Sequence, residues 1–248
     1  IFTDLDGTFL NNDNFSFGKN LEITNEITKL GHFVIFNSSK TFAEIDNMFK
    51  DNNIQFPVIC ETGGGVYLPE DLVLNSGTSE YTTVFEAPKI SQLYDDIAEI
   101  CKGFEGEIQF FDKLPHNERI KLSNLESAGL ILASKREFSM LFLWRSTEER
   151  LKILSNLLER INIRIIRGAR FFHLCSDFDK GTSMIKLINE FKKIFPNKNF
   201  ITIALGDSSN DMAMLKVADY PCIVKSPGNK NLYFSELSND ITISQFEA

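Results

Sequence analysis

FTDLDGTFL, residues 2–10, decides the fold that we expect, because a short apolar run ends there in two carboxylates and a glycine. The run that leads to Asp4 is typical of a buried strand. Gly7 lets the backbone turn sharply, so Asp4 and Asp6 can face the same point beyond that strand. Open α/β sheets bind ligands beyond the carboxyl ends of their strands. The stretch therefore predicts the first strand of such a sheet together with part of its binding site.

The segments that follow alternate between helix and strand patterns. Residues 19–30 carry apolar residues at helical spacing, whereas HFVIFN (32–37) and PVIC (57–60) are typical of buried strands. Between these two strands, Thr41 and Glu44 have the spacing of a capping box, which begins a helix. This order of elements predicts a parallel sheet with helices on its faces.

A different pattern occupies the middle of the chain. Helical spacing over residues 88–104 is followed by strand-like runs at 107–111, 138–144 and 163–175. The first pattern then resumes with a helix over 180–194 and strands FITIAL (200–205) and CIVK (222–225). We therefore predict an α/β core formed by residues 1–82 and 174–248, which is split in sequence by an inserted α+β domain at residues 83–173.

The composition excludes several classes of function. A formal net charge of −8 argues against a general nucleic-acid binder, which needs a basic face. None of the four cysteines forms a C-x-x-C pair, so we expect reduced, buried thiols and a cytoplasmic protein. No apolar stretch approaches the roughly 18 residues of a membrane span, and no signal peptide is visible. We therefore expect no association with a membrane.

Polar residues follow the predicted strands at several points. Ser38, Ser39 and Lys40 come directly after the second strand, Lys180 opens a helix, and GDSSND (206–211) follows FITIAL. The topology would bring these residues to one crevice with Asp4 and Asp6. The crevice would then hold four carboxylates, which belong to Asp4, Asp6, Asp207 and Asp211.

Four carboxylates in one cleft repel one another unless positive charge is present. A divalent cation would supply that charge, and an all-oxygen ligand set suits Mg²⁺ best. Lys180 would be a second, fixed positive charge. We therefore expect a magnesium site that can receive a phosphate dianion.

The spacing of Asp4 and Asp6 permits a division of labour. Asp4 can act as a nucleophile that forms an acyl phosphate. Asp6 can give a proton to the leaving oxygen and later take one from water. Ser38 would donate a hydrogen bond to a phosphoryl oxygen in the transition state.

Each of these residues also has an ordinary structural interpretation. Asp6 could be a turn residue before Gly7, Ser208 and Asp211 could cap a helix, and Lys180 could be a solvated helix residue. Because all of these residues occur together at strand ends, in this order, a shared binding site is favoured over three unrelated structural roles.

Together these motifs resemble those of the haloacid dehalogenase (HAD) superfamily of phosphatases. DLDGT (4–8) is similar to its first motif, the serine of NSSK (37–40) to its second, Lys180 to its third and GDSSND to its fourth. The resemblance implies a nucleophile at Asp4, a general acid and base at Asp6, and a phosphoryl group held by Ser38 and Lys180. It also implies Mg²⁺ on the Asp4 carboxylate, the Asp6 main-chain carbonyl and Asp207, with a supporting shell of Asn210 and Asp211.

Four further stretches resemble the mannosyl-3-phosphoglycerate phosphatase branch of that superfamily: SSKT (38–41), LWRSTEER (143–150), RGARFFH (167–173) and DYPCIVK (219–225). This resemblance implies a Rossmann-like, HAD-like core with an inserted α+β cap of type IIB. It implies a small-molecule substrate, a phosphorylated sugar derivative. Two positions depart from the pattern, since Thr62 stands where asparagine is expected and Phe9 where leucine is usual.

A glycosyl phosphoglycerate carries a carboxylate besides its phosphate, so the cap should offer cations near the crevice. Arginine matches a carboxylate with two hydrogen bonds. The candidates for substrate binding border the predicted cap strands or the second motif: Arg145, Arg167, Arg170, His173, Ser39 and Lys40. An ordinary surface arginine, or a satisfied and partly buried histidine, is the alternative for the cap residues.

Three other functions stay open at this point. The first is a phosphatase for another sugar phosphate, such as sucrose phosphate or glucosyl-3-phosphoglycerate. The second is a phosphosugar mutase, and the third is a sugar-phosphate binder without catalysis. The intact pair of Asp4 and Asp6 argues against the third, whereas a P-loop enzyme is excluded because no G-x-x-x-x-G-K-[ST] motif occurs.

Overall fold

The strand that leads to Asp4 lies inside a large sheet in the computed structural model of the chain, which describes residues 1–11, 16–74, 80–168, 170–225 and 241–247. The strands in these ranges are β1 (Phe2–Thr3), β2 (Ile35–Asn37), β3 (Val58–Cys60), β4 (Gly65–Pro69), β5 (Tyr81–Glu86), β6 (Ile108–Phe110), β7 (Ser139–Trp144), β8 (Arg164–Arg167), β9 (Phe172–Cys175), β10 (Ile203–Gly206), β11 (Tyr220–Lys225) and β12 (Thr242–Glu247).

The helices in the same ranges are α1 (Asn20–Lys29), α2 (Phe42–Asp51), α3 (Glu70–Leu74), α4 (Tyr94–Cys101), α5 (His116–Ser123), α6 (Ser127–Ala133), α7 (Glu148–Glu159), α8 (Lys180–Ile194) and α9 (Met212–Val217). Short 3₁₀ turns lie at Glu61–Gly63, Ile90–Leu93, Lys102–Phe104, Phe111–Lys113 and Ser209–Asp211.

The large sheet has the strand order β12-β11-β10-β1-β2-β3-β4-β5. Strands β12 through β3 in that order pair in parallel, whereas β4 and β5 pair antiparallel. The prediction of a mostly parallel α/β sheet is confirmed. Because parallel strands end at the same edge, the residues after β1, β2 and β10 come together there.

Helices cover both faces of this sheet, because successive strand residues point to opposite sides. Phe36 packs with Phe49 of α2 on one face, whereas its neighbour Ile35 packs with Leu187 of α8 on the other. The apolar alternation along β2 therefore anchors α2 and α8 on opposite sides of the strands that carry the polar residues.

A second sheet has the antiparallel strand order β6-β7-β9-β8. Its apolar face, with Phe142 and Leu174, packs against Leu154 of α7 and Ile97 of α4. This is the α+β unit expected in the middle of the chain. The predicted boundaries at residues 83 and 173 fall inside β5 and β9 and stay a prediction.

The capping box predicted at Thr41 and Glu44 is present. The Glu44 N–H donates to Thr41 Oγ1 at 3.1 Å, and the Thr41 N–H donates to Glu44 Oε2 at 2.8 Å. Thr41 Oγ1 also donates to the Leu132 carbonyl of α6 at 3.0 Å. The N-cap residue Thr41 therefore holds the start of α2, directly after Ser38–Lys40, against the unit that contains the second sheet.

The four cysteines are free thiols, and three of them are buried. Within the described part of the chain, none of the helices combines the length and the apolar character that crossing a bilayer requires.

Gly181 of α8 lies against the backbone of α9, and Gly129 of α6 provides a helical glycine for comparison. A β-carbon at Gly181 would collide with the Ala213 carbonyl of α9, whereas one at Gly129 of α6 would lie at an ordinary 3.6 Å from Leu125. Alanine has the higher helix propensity at both positions, by about 1 kcal/mol. We expect Gly181→Ala to lower the free energy of unfolding by at least about 2 kcal/mol, because backbone cannot yield as a side chain can.

Urea unfolding of both variants measures this difference. Gly129→Ala is the matched control, and it should equal or exceed the wild type in stability. Equal stability of the two variants would contradict the close approach of α8 and α9.

Candidate active site

The ammonium group of Lys180 lies at the centre of the site. Lys180 is the first residue of α8 and is fully buried. Its Nζ donates to Asp4 Oδ1 at 2.5 Å and to Asp211 Oδ1 at 2.6 Å. The alternative of a solvated helix lysine is therefore wrong, and the residue joins the ends of β1 and β10.

The local sequence sets the position of Lys180 through the helix that it opens. Asp179 is the N-cap of α8, and its side chain accepts from the Thr182 N–H at 2.7 Å. The Thr182 hydroxyl in turn accepts from the Asp179 N–H at 2.9 Å. This capping box fixes the first turn of the helix and with it the direction of the lysine.

The charges in this cluster perturb one another. Burial alone would lower the pKa of Lys180, but the carboxylates of Asp211 and Asp4 outweigh it and hold the pKa above its ordinary value. Burial raises the pKa of Asp4 well above its usual range; Lys180 opposes that rise, and the neighbouring carboxylates add to it. We therefore take Lys180 as charged, and the ionised form of Asp4 as disfavoured by burial and by its acidic neighbours.

Asp211 both caps a turn and binds the lysine. Its Oδ2 accepts from the N–H groups of Asp207 and Ser208 at 3.1 and 2.9 Å, while Oδ1 faces Lys180. The capping interpretation of Ser208 and Asp211 is correct, and it does not compete with a role in the site. Ser208 Oγ also bonds to Asn210 Oδ1, which keeps Asn210 inside the same turn.

Asp207 lies directly over the DLDGT turn. Thr8 Oγ1 donates to Asp207 Oδ1 at 3.3 Å. Gly7 has φ +78°, and a β-carbon there would lie 2.6 Å from Asp207 Oδ2. Only glycine permits this approach, so the first and fourth motifs are in contact at the ends of the neighbouring strands β1 and β10.

The donor set fits a hard divalent cation. Asp4, Asp207 and Asp211 each offer a carboxylate oxygen, and these atoms lie within 4.8 Å of one another. Oxygen ligands are what Mg²⁺ and similar cations prefer. Asp211 is already engaged by Lys180 and by two backbone N–H groups, so Asp4 and Asp207 are the carboxylates best placed to bind an ion.

Asp6 faces a different partner. Lys40 Nζ lies 2.8 Å from Asp6 Oδ2, while Asp6 Oδ1 is buried without a hydrogen-bond partner among the described residues. Burial would lower the pKa of Lys40, but Asp6 and Glu44 raise it above its usual range. The carboxylate predicted to move protons therefore carries a cation on one oxygen.

The loop after β2 brings Ser38 to the same edge. Ser38 is fully buried, and its N–H donates to the Ile59 carbonyl at 2.9 Å. Its Oγ accepts from the Lys40 N–H at 3.2 Å. Ser39 lies between them, and its carbonyl oxygen accepts from Arg136 at 3.1 Å.

The three arginines predicted to bind substrate have partners within the unit of the second sheet. Arg145 Nε donates to Gln109 at 3.2 Å, Arg170 donates to the Ser123 carbonyl, and Arg167 pairs with Glu148. The Arg167 carbonyl accepts from Ser209 Oγ at 2.8 Å, so the end of β8 contacts the fourth motif. Their role in binding stays a prediction.

His173 is on the opposite face of β9 from the apolar cluster, since its neighbour Leu174 belongs to that cluster. It is 5% exposed, and its Nδ1 has no hydrogen-bond partner among the described residues. Burial lowers its pKa to about 3, with further lowering from the charges of Arg136 and Lys180. The imidazole is therefore neutral at pH 7 and near both cations.

The sequence analysis missed Arg136 and Glu61. Glu61 is buried, with 2% side-chain exposure, and Arg136 is partly buried, with 11%; both bond to residues of the two sheets' units at their border. Arg136 stands in the polar run SKRE (134–137), which reads as a solvated face. The only signal for Glu61 is its position before the glycines of ETGGG (61–65).

Comparison with known proteins agrees with the geometry. The family model of haloacid dehalogenase-like hydrolases matches residues 1–232. The chain is 30% identical over 232 residues to the glucosyl-3-phosphoglycerate/mannosyl-3-phosphoglycerate phosphatase of Persephonella marina. The match covers 90% of this chain and 84% of that protein. It is 26% identical to the mannosyl-3-phosphoglycerate phosphatase of Pyrococcus furiosus, with 93% of each chain covered.

A solved structure of a HAD subclass IIB sugar phosphatase has a TM-score of 0.65 at 17% identity, and the match covers 90% of this chain and 86% of that one. The chain belongs to the haloacid dehalogenase-like hydrolase family. Its fold is a Rossmann-like core with an α+β cap of type IIB, and the second sheet with its helices is that cap.

The lowered pKa of His173 predicts a pH dependence of stability. The pKa is about 6.5 in the unfolded chain and about 3 in the fold, so the unfolded state binds the proton first as the pH falls. The stability is therefore complete above about pH 6.5 and declines toward pH 3. Between pH 7.5 and 5, the wild type should lose about 2 kcal/mol more than His173→Gln in urea unfolding.

His32, an exposed histidine, provides the control. His32→Gln makes the same substitution at the surface and controls for the change of side chain. A pH slope in His173→Gln equal to that of the wild type would mean that the imidazole is not held neutral in the fold.

Proposed function

We propose that this chain is a magnesium-dependent phosphatase that hydrolyses a phosphorylated sugar derivative, with mannosyl-3-phosphoglycerate as the favoured substrate and glucosyl-3-phosphoglycerate as the nearest alternative. The observation that carries the proposal is the buried lysine that joins Asp4 to Asp211 beside Asp207. The names of the two relatives support the choice of substrate.

The reaction begins with attack by a carboxylate oxygen of Asp4 on phosphorus. The bond from phosphorus to the leaving oxygen breaks as Asp6 gives that oxygen a proton, and an aspartyl phosphate remains on Asp4. Water then attacks phosphorus while Asp6 takes its proton, and the bond to Asp4 breaks to release phosphate. The contact of Lys180 with Asp4 supports this assignment, because the lysine places positive charge next to the reacting carboxylate.

Lys180 and the Ser38 hydroxyl would hold the phosphoryl oxygens on which negative charge develops. Asp4, the Asp6 main-chain carbonyl and Asp207 would bind Mg²⁺, with Asn210 and Asp211 holding that loop. When bound, the ion supplies a Lewis acid and offsets the charge of the carboxylates and the phosphate. The contact between Gly7 and Asp207 supports this ligand set, because it brings the first and fourth motifs together.

Substrate selection is assigned to the proposed cap at residues 83–173, facing the core of residues 1–82 and 174–248. Arg145, Arg167, Arg170 and His173 would read the carboxylate and sugar from that side. Ser39 and Lys40 would do so from the core. The buried position of His173 near Lys180 supports its place in this set.

Release of inorganic phosphate from a panel of substrates tests the function. The panel should hold mannosyl- and glucosyl-3-phosphoglycerate, sucrose phosphate and p-nitrophenyl phosphate, each with Mg²⁺. We expect the glycosyl phosphoglycerates to have the highest kcat/KM. Asp4→Asn should reduce turnover of all four by at least about a thousandfold, because the amide cannot form the covalent intermediate.

Thermal unfolding checks that Asp4→Asn remains folded. Turnover retained by that variant would remove Asp4 from the role of nucleophile. Phosphate that appears on another position of the sugar, without release, would indicate a mutase and overturn the proposal.

Asp207 tests the metal site separately. We expect Asp207→Asn to raise the Mg²⁺ concentration for half-maximal activity at least about tenfold, because one of the proposed charged ligands is lost. Titration of the EDTA-treated enzyme with MgCl₂ measures this value. Asp112→Asn, a change at an exposed cap carboxylate, is the control and should titrate as the wild type does. An unchanged Mg²⁺ requirement in Asp207→Asn would contradict the ligand assignment.

A further inference from the structure

The turn after β3 has an unusual backbone. Three consecutive residues, Glu61, Thr62 and Gly63, have φ values of +48°, +62° and +114°. A side chain makes such values costly for the first two residues. Both are buried, at 1% exposure each, so the surrounding contacts must hold them in this conformation.

The turn holds the loop of the second motif by its backbone. The Thr62 N–H donates to the Ser38 carbonyl at 2.9 Å, and the Glu61 N–H donates to the Lys40 carbonyl at 2.8 Å. The carbonyl between them, that of Ser39, accepts from Arg136 Nη1 at 3.1 Å. Three consecutive carbonyl groups of the loop are therefore fixed by the turn and by one arginine.

The Glu61 side chain reaches the other way, into the cap. Its carboxylate accepts from the N–H groups of Glu137, Phe138 and Ser139 at 2.9 to 3.0 Å and from the Ser139 hydroxyl at 2.8 Å. These residues lead into β7. Arg136 Nη1 donates to Ser139 Oγ at 3.0 Å and lies 3.8 Å from Glu61 Oε2, so the two charges share a partner.

The same turn rests on the start of α8. Ser183 Oγ donates to the Gly63 carbonyl at 2.7 Å. A β-carbon at Gly63 would collide with the Asp179 carbonyl, directly before Lys180. The turn therefore contacts the cap, the loop of Ser38 and the helix of Lys180 at once.

We propose that Glu61 and Arg136 are positioning residues, a charge pair of low exposure that holds the Ser38–Lys40 loop in place relative to the cap. This inference rests on the proposed phosphatase function, because the loop carries the groups that would hold the phosphoryl oxygens and contact Asp6. Neither residue needs to touch the substrate for the pair to act.

The chemistry of the pair explains the choice of residues. Arg136 Nη1 donates to both the Ser39 carbonyl and the Ser139 hydroxyl, and the planar guanidinium fixes the directions of these two bonds, whereas a lysine ammonium group rotates freely. Removal of Arg136 leaves the Ser39 carbonyl without its donor and the Glu61 carboxylate without the adjacent positive charge, so the loop and the first residues of β7 should be held together less firmly. A misplacement of about 1 Å near reacting groups can cost about a hundredfold in rate.

Kinetics of Arg136→Met, Arg136→Lys and Arg150→Met test the pair. Arg150 is the control, because its guanidinium bonds to Glu107 and to the Gly103 carbonyl inside the cap. We expect Arg136→Met to lower kcat at least about tenfold for both p-nitrophenyl phosphate and mannosyl-3-phosphoglycerate, with KM changed less than about threefold. Arg136→Lys should recover part of the loss, and Arg150→Met should stay within about twofold of the wild type.

Hydrogen exchange gives a readout that does not depend on catalysis. Peptides that contain residues 38–42 should exchange faster in Arg136→Met than in Arg150→Met, whereas peptides that cover α4 should not differ. Unchanged kcat together with unchanged exchange would overturn the proposal. A loss confined to KM for the carboxylated substrate would also overturn it, because Arg136 would then bind the substrate directly.

A failure of the proposed phosphatase function can be distinguished from a failure of the proposed positioning role. A wild-type enzyme that releases no phosphate from either substrate contradicts the proposed function, while the exchange comparison still decides whether the pair holds the loop. If Arg136→Met does not fold, Arg136→Gln, which keeps a hydrogen-bond donor without the charge, decides in its place: wild-type kcat and exchange in that variant would overturn the charge pair.

Discussion

A fully buried ammonium group between two carboxylates is the interaction on which the site depends. Lys180 comes from the start of α8, Asp4 from the end of β1 and Asp211 from the turn after β10. A buried charge is tolerated only with good partners, so none of these segments can move alone without exposing or stranding a charge. The carboxylate oxygens around the lysine suit a hard cation, and the lysine itself supplies positive charge for a phosphate.

Close approaches of the backbone also hold the segments of the site together. The Asp207 carboxylate lies against Gly7, and α8 lies against the backbone of α9 at Gly181. These approaches leave no room for a β-carbon, so the first, third and fourth motifs share one rigid edge of the sheet. The Glu61–Arg136 pair lies at the border of this edge, where the loop of Ser38–Lys40 meets the cap. Burial, together with the nearby charges of Arg136 and Lys180, lowers the pKa of His173 and keeps it neutral.

The parts of the site that follow strand ends could be predicted, because parallel strands end at one edge whatever packs around them. The spacing of Thr41 and Glu44 was also sufficient to predict the start of α2, because both hydrogen bonds of the capping box join residues close in sequence. The choice between a helix cap and a lysine partner for Asp211 was not predictable, because one carboxylate does both with its two oxygens. Arg136 was not predictable at all, since a lone arginine in a polar run looks solvated until the core packs over it.

The sequence by itself determined the order of strands and helices, the split of the α/β pattern by an α+β segment, and the edge at which the acidic residues gather. Periodicity, glycine positions and caps are local properties, and they carry that information without reference to distant residues. Only the tertiary structure decided that Lys180 is buried between two carboxylates, that Lys40 pairs with Asp6, and that Glu61 reaches into the cap. Burial and charge pairing depend on which distant segments pack together, and no local pattern in the chain encodes that packing.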